Sequence, residues 1–204
     1  MKLALSALFV VFAYLIGSIS FAVVVSKLSG LADPRTYGSK NPGATNVLRT
    51  GNKKAALFTL LGDAAKGWIV VFLMQWFGPA HGFGTDVVAL VALAAFVGHL
   101  WPIYTRFEGG KGVATALGIL LALSPWLGLA VLGTWLLVAY VSKYSSLAAI
   151  IAALLSPIYC FLLFGTDPRT MTVFVLSVLL LWRHSSNIKN LIEGKESKIG
   201  SKKK

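Results

Sequence analysis

The sequence predicts an all-α integral membrane protein with about seven transmembrane helical elements, some of them short. Of its 204 residues, 56% are hydrophobic, and the mean hydropathy is +0.76, which is more apolar than a soluble domain of this size requires. The apolar residues are gathered into runs, several of them near the length of about 20 residues that crosses a bilayer. Lys and Arg collect in alternate connections between the runs. The runs lie at about residues 3–26, 54–77, 86–103, 112–123, 126–142, 146–164 and 170–183.

The first run has some features of a secretory signal peptide, because Lys2 precedes an apolar stretch that ends in small residues. However, the apolar character continues through Val25, and the sequence has no Ala-x-Ala-like cleavage site there. We therefore predict that this segment is retained as the first membrane helix.

Residues 112–142 decide the topology, because they can form one long kinked helix or two short helices that turn at Ser124 and Pro125. Length favours one helix, since each half is short for a bilayer of about 30 Å. Charge favours two, because two helices put nearly all basic residues of the connections on one side of the membrane. By the positive-inside rule, we predict an outside N-terminus and a cytoplasmic C-terminus. Residues 1–190 then form one membrane domain, and 191–204 form a basic, flexible tail.

The net charge of +12 comes from basic residues that lie between the apolar runs rather than in one basic domain. Such residues are retained in cytoplasmic loops and contact anionic headgroups. We therefore predict membrane lipid, and not nucleic acid, as the partner of this charge.

The first candidate site is the loop at residues 38–49, which is rich in hydrogen-bond donors and contains no acid. Such a loop favours an anion site, although Asn and Ser also build ordinary turns. If a helix begins near Pro42, then Thr45, Asn46 and Arg49 share a face. The predicted substrate-binding residues of this loop are Ser39, Asn41, Thr45, Asn46 and Arg49.

The second candidate site is the Gly-Gly-Lys-Gly stretch at residues 109–112, which directly precedes the apolar run that starts at Val113. The free amides and positive dipole end of a helix that starts there suit a phosphate group. The predicted residues are Gly109, Gly110, Lys111 and Gly112. The chain has no Walker A pattern, so nucleotide hydrolysis is unsupported. The alternative is a tight turn with a stop-transfer lysine.

A third group follows the last apolar run, where His184 and Asn187 are three positions apart and can face one cleft. Histidine can move a proton or orient a hydroxyl. The alternative is a helix end that carries cations, which the helix dipole favours. Ser145 and Ser146 lie at another turn on the same side, but serine is common in turns and the signal is weak.

Ionisable residues also lie inside or beside the apolar runs. Asp63 and Lys66 lie on one helix face, and we predict that they neutralise each other. His99 lies at the inner end of the third run and is either a ligand-facing residue or a helix cap.

His81 and Asp86 match the His-x4-Asp pattern of acyltransferases that use thioester donors, but they lie on the side with few basic residues. We therefore do not assign them the active site. The histidines are scattered, so no metal site is predicted.

Taken together, the motifs resemble those of the bacterial acyl-phosphate:glycerol-3-phosphate acyltransferase family. The matching segments occur in the family's order and span nearly the whole chain. They are 17–20 (GSIS), 38–49 (GSKNPGATNVLR), 98–102 (GHLWP), 109–115 (GGKGVAT) and 183–187 (RHSSN).

The resemblance implies an enzyme of the bacterial inner membrane, with its active site towards the cytoplasm. It would transfer the acyl group of acyl phosphate to the 1-hydroxyl of glycerol 3-phosphate, giving lysophosphatidic acid and inorganic phosphate, an early step of phospholipid biosynthesis. It would need no cofactor, and it would take its donor from one enzyme and pass its product to a second acylating enzyme.

The resemblance also implies roles for the candidate residues. The two loops would hold phosphate, with Arg49 and Lys111 as cations. His184 and Asn187 would orient the reacting groups, so the predicted catalytic residues are His184, Asn187 and Lys111. Whether His184 or a phosphate oxygen of the donor accepts the proton is left open.

Two hypotheses from other classes share these features. One is a transporter for a phosphorylated solute, although the sequence shows no internal repeat of the kind many transporters carry. The other is a membrane scaffold whose basic loops bind anionic lipid.

Overall fold

The computed structural model describes residues 2–199 and is helical throughout, with no strand in that range. The helices are Lys2–Gly17 (α1), Phe21–Leu28 (α2), Ala44–Leu48 (α3), Lys53–Phe77 (α4), Thr85–Leu100 (α5), Val113–Leu123 (α6), Pro125–Ser142 (α7), Ser145–Phe164 (α8), Pro168–Arg183 (α9) and Ser185–Ile192 (α10). Two short 3-10 turns, Pro79–His81 and Ile103–Thr105, lie in the connections on either side of α5.

Within the described residues, four helices are long and apolar enough to cross a membrane, or up to six if each bent pair is one span. The bent pairs are α1 with α2, at 42°, and α9 with α10, at 57°. Helix α6 is apolar but has only 11 residues. Each of the seven predicted runs is therefore helical, and the prediction of an all-α membrane protein is confirmed. The predicted orientation of the termini stays a prediction.

The first run differs from the prediction of a continuous helix, because α1 ends at Gly17 and α2 begins at Phe21. A Cβ on Gly17 would lie 2.1 Å from the backbone oxygen of Ala95, and one on Gly98 would lie 2.4 Å from that of Tyr14. Helices α1 and α5 thus pack backbone against backbone, as small residues allow in membrane proteins. Beyond this contact the chain breaks and turns.

Residues 112–142 form two helices, as charge predicted and length did not. Helix α6 ends at Leu123, and the hydroxyl of Ser124 accepts a hydrogen bond from the amide of Leu127, 3.5 Å away, in the first turn of α7. Pro125 occupies the first helical position, where its missing N–H costs nothing. Helix α6 packs closely on α4, and the buried core between the central helices includes Phe96, Leu100, Ile119 and Leu127.

The polar connections meet at one end of the helices. Arg35 lies 3.6 Å from Glu108, and the hydroxyl oxygens of Thr45 and Ser145 lie 3.4 Å apart.

The predicted tail begins inside α10, and residues 195–199 lie back over the turn between α7 and α8. There the amide of Ile199 donates to the carbonyl of Lys143 at 2.7 Å. The predicted flexibility of the tail is untested. Its last residues, 200–204, lie outside the described residues, as does Met1 at the other terminus.

Candidate active site

The side chain of Asn46 stabilises the first candidate loop through hydrogen bonds to the loop backbone. Its side-chain oxygen accepts from the amide of Ser39 at 3.0 Å, and its side-chain nitrogen donates to the carbonyls of Pro34 at 2.7 Å and Tyr37 at 3.2 Å. The residue is 2% exposed. Asn46 and Arg49 both approach Gly38, as a common helix face predicts, but Asn46 is buried whereas Thr45 and Arg49 are exposed. The short helix α3 starts at Ala44, and its register turns Asn46 into the loop, where its amide is already occupied.

The remaining candidates of this loop are at least partly accessible. Ser39, Thr45 and Arg49 are exposed, and Asn41 is half-buried. Gly38 has a φ of +59°, and a Cβ there would lie 3.1 Å from a guanidinium nitrogen of Arg49. The missing side chain at position 38 therefore gives both the turn and the room for Arg49.

The glycine loop at residues 109–112 is held from two sides. On one side, the amide of Gly110 donates to the carbonyl of His99 at 3.2 Å. On the other, the guanidinium of Arg183 donates to the carbonyl of Gly110 at 3.1 Å and to that of Gly109 at 2.7 Å. A Cβ on Gly109 would lie 2.2 Å from the His99 oxygen. The contacts of the loop thus leave no space for side chains at these two positions.

The end of the loop forms the start of α6. Gly112 has a φ of +86°, and a Cβ there would lie 2.2 Å from the ring of Phe96. The first helical hydrogen bond of α6 runs from the amide of Ala116 to the carbonyl of Gly112, at 2.7 Å. The amides before Ala116 in this turn have no intrahelical acceptor, as at any helix start. They and the helix dipole favour an anion beside the loop.

Lys111 joins the loop to the end of the chain. Its ammonium donates to the side-chain oxygen of Asn187, and the side-chain nitrogen of Asn187 donates to the carboxylate of Glu196 at 2.8 Å. The same carboxylate oxygen accepts from the hydroxyl of Ser146 at 2.7 Å. The structure therefore brings together Lys111, Asn187 and Ser146, which sequence reasoning proposed separately.

The electrostatics of this cluster are dominated by cations. Burial lowers the pKa of Lys111 below its ordinary value, Glu196 raises it, and the positive charges of Arg183 and Arg49 lower it further. Lys111 thus lies within the electrostatic influence of two arginines and one carboxylate. Such an arrangement favours binding of an additional anion.

His184 is 3% exposed and lies at the junction of α9 and α10. Its Nδ1 lies 2.8 Å from the carbonyl oxygen of Leu180. Because a carbonyl oxygen only accepts hydrogen bonds, this contact places a proton on Nδ1 and leaves the lone pair of Nε2 in the neutral ring.

Two residues of the cluster were missed by sequence reasoning. Arg183 was read as part of a cationic helix end, but its five fixed donors let it bind two neighbouring carbonyls. Glu196 was read as part of the solvated tail. The available signal was that Glu193 and Glu196 are the only acids in a Lys-rich segment, but nothing in the sequence shows that the chain folds back.

The buried pair predicted in α4 is present. The ammonium of Lys66 lies 2.9 Å from the carboxylate of Asp63, and both side chains are almost fully buried. His99, whose role was open, points inward: its Nδ1 lies 3.6 Å from Asp63 Oδ1, and the residue is 7% exposed. The role of His99 towards a ligand stays a prediction.

The His81 and Asp86 pattern lies at the opposite end of the helices. His81 is exposed, with its Nδ1 2.9 Å from the carbonyl oxygen of Phe77, and Asp86 lies in the first turn of α5. Both residues therefore lie away from the cluster of Lys111 and Asn187. No group of three His, Cys, Asp or Glu side chains suited to a metal ion occurs within residues 2–199.

The chain is similar to known proteins over nearly its whole length. The family model described as "Glycerol-3-phosphate acyltransferase" matches residues 7–194. The chain belongs to the glycerol-3-phosphate acyltransferase family. This family member is 65% identical to the glycerol-3-phosphate acyltransferase of Janthinobacterium sp. (strain Marseille) over 199 residues, which are 98% of this chain and 99% of that protein.

Two solved structures share the fold of the acyltransferase. Both are crystal structures of PlsY (YgiH), an integral membrane glycerol 3-phosphate acyltransferase. The glycerol 3-phosphate form has a TM-score of 0.89 and 36% identity, with 96% of each chain covered. The lysophosphatidic acid form has a TM-score of 0.87 and 35% identity, and covers 96% of this chain and 95% of the other.

These findings confirm the resemblance and the membrane fold, and they make the chain an acyltransferase. The transporter and scaffold hypotheses are therefore set aside. The roles of the individual site residues and the identity of the acyl donor stay predictions.

Proposed function

We propose that this acyltransferase transfers the acyl group of an acyl phosphate to the 1-hydroxyl of glycerol 3-phosphate. The products are 1-acyl-glycerol 3-phosphate, which is lysophosphatidic acid, and inorganic phosphate. The observation that carries the proposal is the cluster of Lys111, Asn187 and Ser146 beside the glycine loop and Arg49. Both proposed substrates carry phosphate, and this cluster combines cations with helix-start amides, which suit phosphate.

The relatives support the acceptor. The related PlsY protein was solved in a glycerol 3-phosphate form and in a lysophosphatidic acid form. This chain covers nearly all of that fold, so the same acceptor and product are expected here. The acyl phosphate donor rests on the resemblance of the motifs and on the two phosphate-suited loops at one end of the helices.

The proposed step needs little covalent work from the protein, because acyl phosphate is already activated. The 1-hydroxyl oxygen of glycerol 3-phosphate forms a bond to the acyl carbon, and the bond from that carbon to the phosphate oxygen breaks. Phosphate leaves with the electron pair. Lys111 and Arg49 would stabilise phosphate charge, and Asn187 would orient the reacting groups, so catalysis would come mainly from positioning and charge.

The hydroxyl proton can leave by two routes. An oxygen of the departing phosphate can accept it directly, or Nε2 of His184 can accept it and pass it to phosphate. The second route is supported by the contact of His184 Nδ1 with the Leu180 carbonyl, which leaves Nε2 unprotonated. Both routes balance the proton, since inorganic phosphate leaves with it.

The membrane supplies the setting for this chemistry. Apolar helices surround a polar end, so the acyl chain can stay in the bilayer while the phosphates meet the loops. The basic loops at this end favour the cytoplasmic side of the inner membrane. We infer that the chain takes its donor from an acyl-phosphate-forming enzyme and passes lysophosphatidic acid to a second acyltransferase.

Phosphate release from palmitoyl phosphate tests the proposal. Purified protein in detergent receives palmitoyl phosphate with and without glycerol 3-phosphate, and inorganic phosphate and lysophosphatidic acid are measured. We expect both products in equal amounts, dependent on glycerol 3-phosphate and independent of CoA. Lys189→Ala is the matched control for substitutions of Lys111, because Lys189 is exposed at the same end of the helices. Turnover with acyl-CoA alone would contradict the proposed donor.

A further inference from the structure

Three ionisable residues outside the proposed substrate contacts form a buried chain. Lys66 and Asp63 are each 3% exposed, and His99 is 7% exposed. Charged groups within a membrane protein are costly unless they are paired. Apolar residues at all three positions together would avoid this cost, so this group of buried residues calls for a functional explanation.

Lys66, at one end of this series of three buried residues, reaches the break in the first membrane element. The ammonium of Lys66 donates to the carbonyl of Ile19 at 2.6 Å, which lies between α1 and α2. A carbonyl in such a break lacks its usual helical partner. Lys66 therefore ties α4 to this break and also lies 2.9 Å from Asp63 Oδ1.

His99, at the other end of this series of buried residues, packs against the glycine loop. The carbonyl of His99 accepts from the amide of Gly110. A Cβ on Gly110 would lie 2.2 Å from His99 Nε2, so the imidazole packs directly under the Cα of Gly110. Arg183 binds the carbonyls of Gly109 and Gly110 from the other side. The two glycines are thus fixed between His99 and Arg183.

We propose that Lys66, Asp63 and His99 form a positioning network for the glycine loop. The network holds the loop in the position in which Lys111 and the first turn of α6 contact the substrate phosphate. Asp63 Oδ1 lies 3.6 Å from Nδ1 of His99 and acts on the imidazole through its charge, and Lys66 compensates the charge of Asp63. None of the three touches the reacting groups. The inference rests on the proposed function only in assigning the loop to phosphate.

Hydrogen exchange tests the network without substrate. Peptides that cover residues 106–114 are followed by mass spectrometry in the wild type and in the double variant Asp63→Asn/Lys66→Met. The double variant removes the carboxylate of Asp63 and the ammonium of Lys66 together, so that neither charge is left buried and unpaired. We expect exchange of these peptides to accelerate about tenfold, as local protection is lost, while peptides of α7 and α8 stay unchanged.

A control separates positioning from general stability. Ser156 and Ser177 form another buried polar contact, with their oxygens 2.9 Å apart, between α8 and α9. We expect Ser156→Ala to lower the melting temperature without accelerating exchange at 106–114. A double variant that loses stability as Ser156→Ala does, with unchanged exchange and kinetics, would overturn the proposal.

His99→Gln provides a second variant that keeps the backbone carbonyl but removes the ring from under Gly110. We expect the same acceleration of loop exchange and an increase of KM for glycerol 3-phosphate that exceeds the decrease of kcat. Unchanged exchange and KM in the folded variant would contradict the network. If the wild type does not use acyl phosphate but the loop still loosens, the positioning role stands and the proposed donor fails.

Discussion

The ammonium of Lys111 donates a hydrogen bond to the side-chain oxygen of Asn187, a residue 76 positions away in the chain. This contact joins the loop before α6 to the first turn of α10. It makes one unit of two motifs that are separate in the sequence. Residues that act as a unit lose their effect together when either is removed.

The first prediction follows from this contact. Lys111→Ala and Asn187→Ala are each expected to lower kcat/KM by about a hundredfold, the scale for removing one preorganised charge-stabilising group. The double variant is expected to lose much less than the product of the two losses, because each single change already breaks the pair. Steady-state kinetics of the three variants with palmitoyl phosphate measure this, and full additivity would show that the two side chains act independently.

The second prediction concerns pH. Burial and the nearby arginines lower the pKa of Lys111, so its ammonium loses its proton at a lower pH than an ordinary lysine does. The charged form binds phosphate, and it is lost as pH rises through this lowered pKa. We therefore expect the affinity for glycerol 3-phosphate to fall on the alkaline side, and Lys111→Arg to move that fall to higher pH. Calorimetric titration across pH measures the affinity. The same alkaline fall in Lys111→Arg would assign it to another group.

The third prediction concerns Glu196, whose carboxylate accepts hydrogen bonds from both Asn187 and Ser146. Glu196→Ala removes this shared acceptor and is expected to lower kcat/KM by about 10- to 100-fold, since removal of a hydrogen bond to a charged group costs about 1.5–3 kcal/mol. Glu193→Ala is the matched control, because Glu193 pairs with Lys195 at the surface and is expected to have little effect. Equal kinetics of the two variants would contradict a role for the folded-back tail.

Sequence predicted the long-range plan of the fold better than the local geometry of the site. The apolar runs and the charge of their connections identified the helices, including the division of 112–142 at Ser124, because hydropathy and charge act over whole segments. The break after Gly17 was not predicted. It accompanies a backbone contact of Gly17 with α5, and the small residues there do not show which distant segment they contact.

At the site, the chemistry of each motif was readable, but the direction of individual side chains was not. Lys111, Asn187 and Ser146 were proposed separately from their motifs, and the structure places them in one cluster. Asn46 is buried whereas its neighbour Thr45 is exposed, since one residue of rotation along α3 changes the face on which a side chain lies. Glu196 and Arg183 were missed because their partners lie on other segments of the chain.

The last prediction concerns the packing of α4 against α6, which places the glycine loop. A Cβ on Gly118 would lie 1.9 Å from the backbone oxygen of Ala64, and a backbone atom cannot move aside as a flexible side chain can. Gly118→Ala is therefore expected to lower the free energy of unfolding by about 1–3 kcal/mol, the usual cost of overpacking. Gly133→Ala is the matched control, because a Cβ at Gly133 meets nothing within 4 Å and alanine favours the helix. Thermal unfolding in detergent compares the two. Equal melting temperatures would mean that α6 can shift away from α4 at little cost.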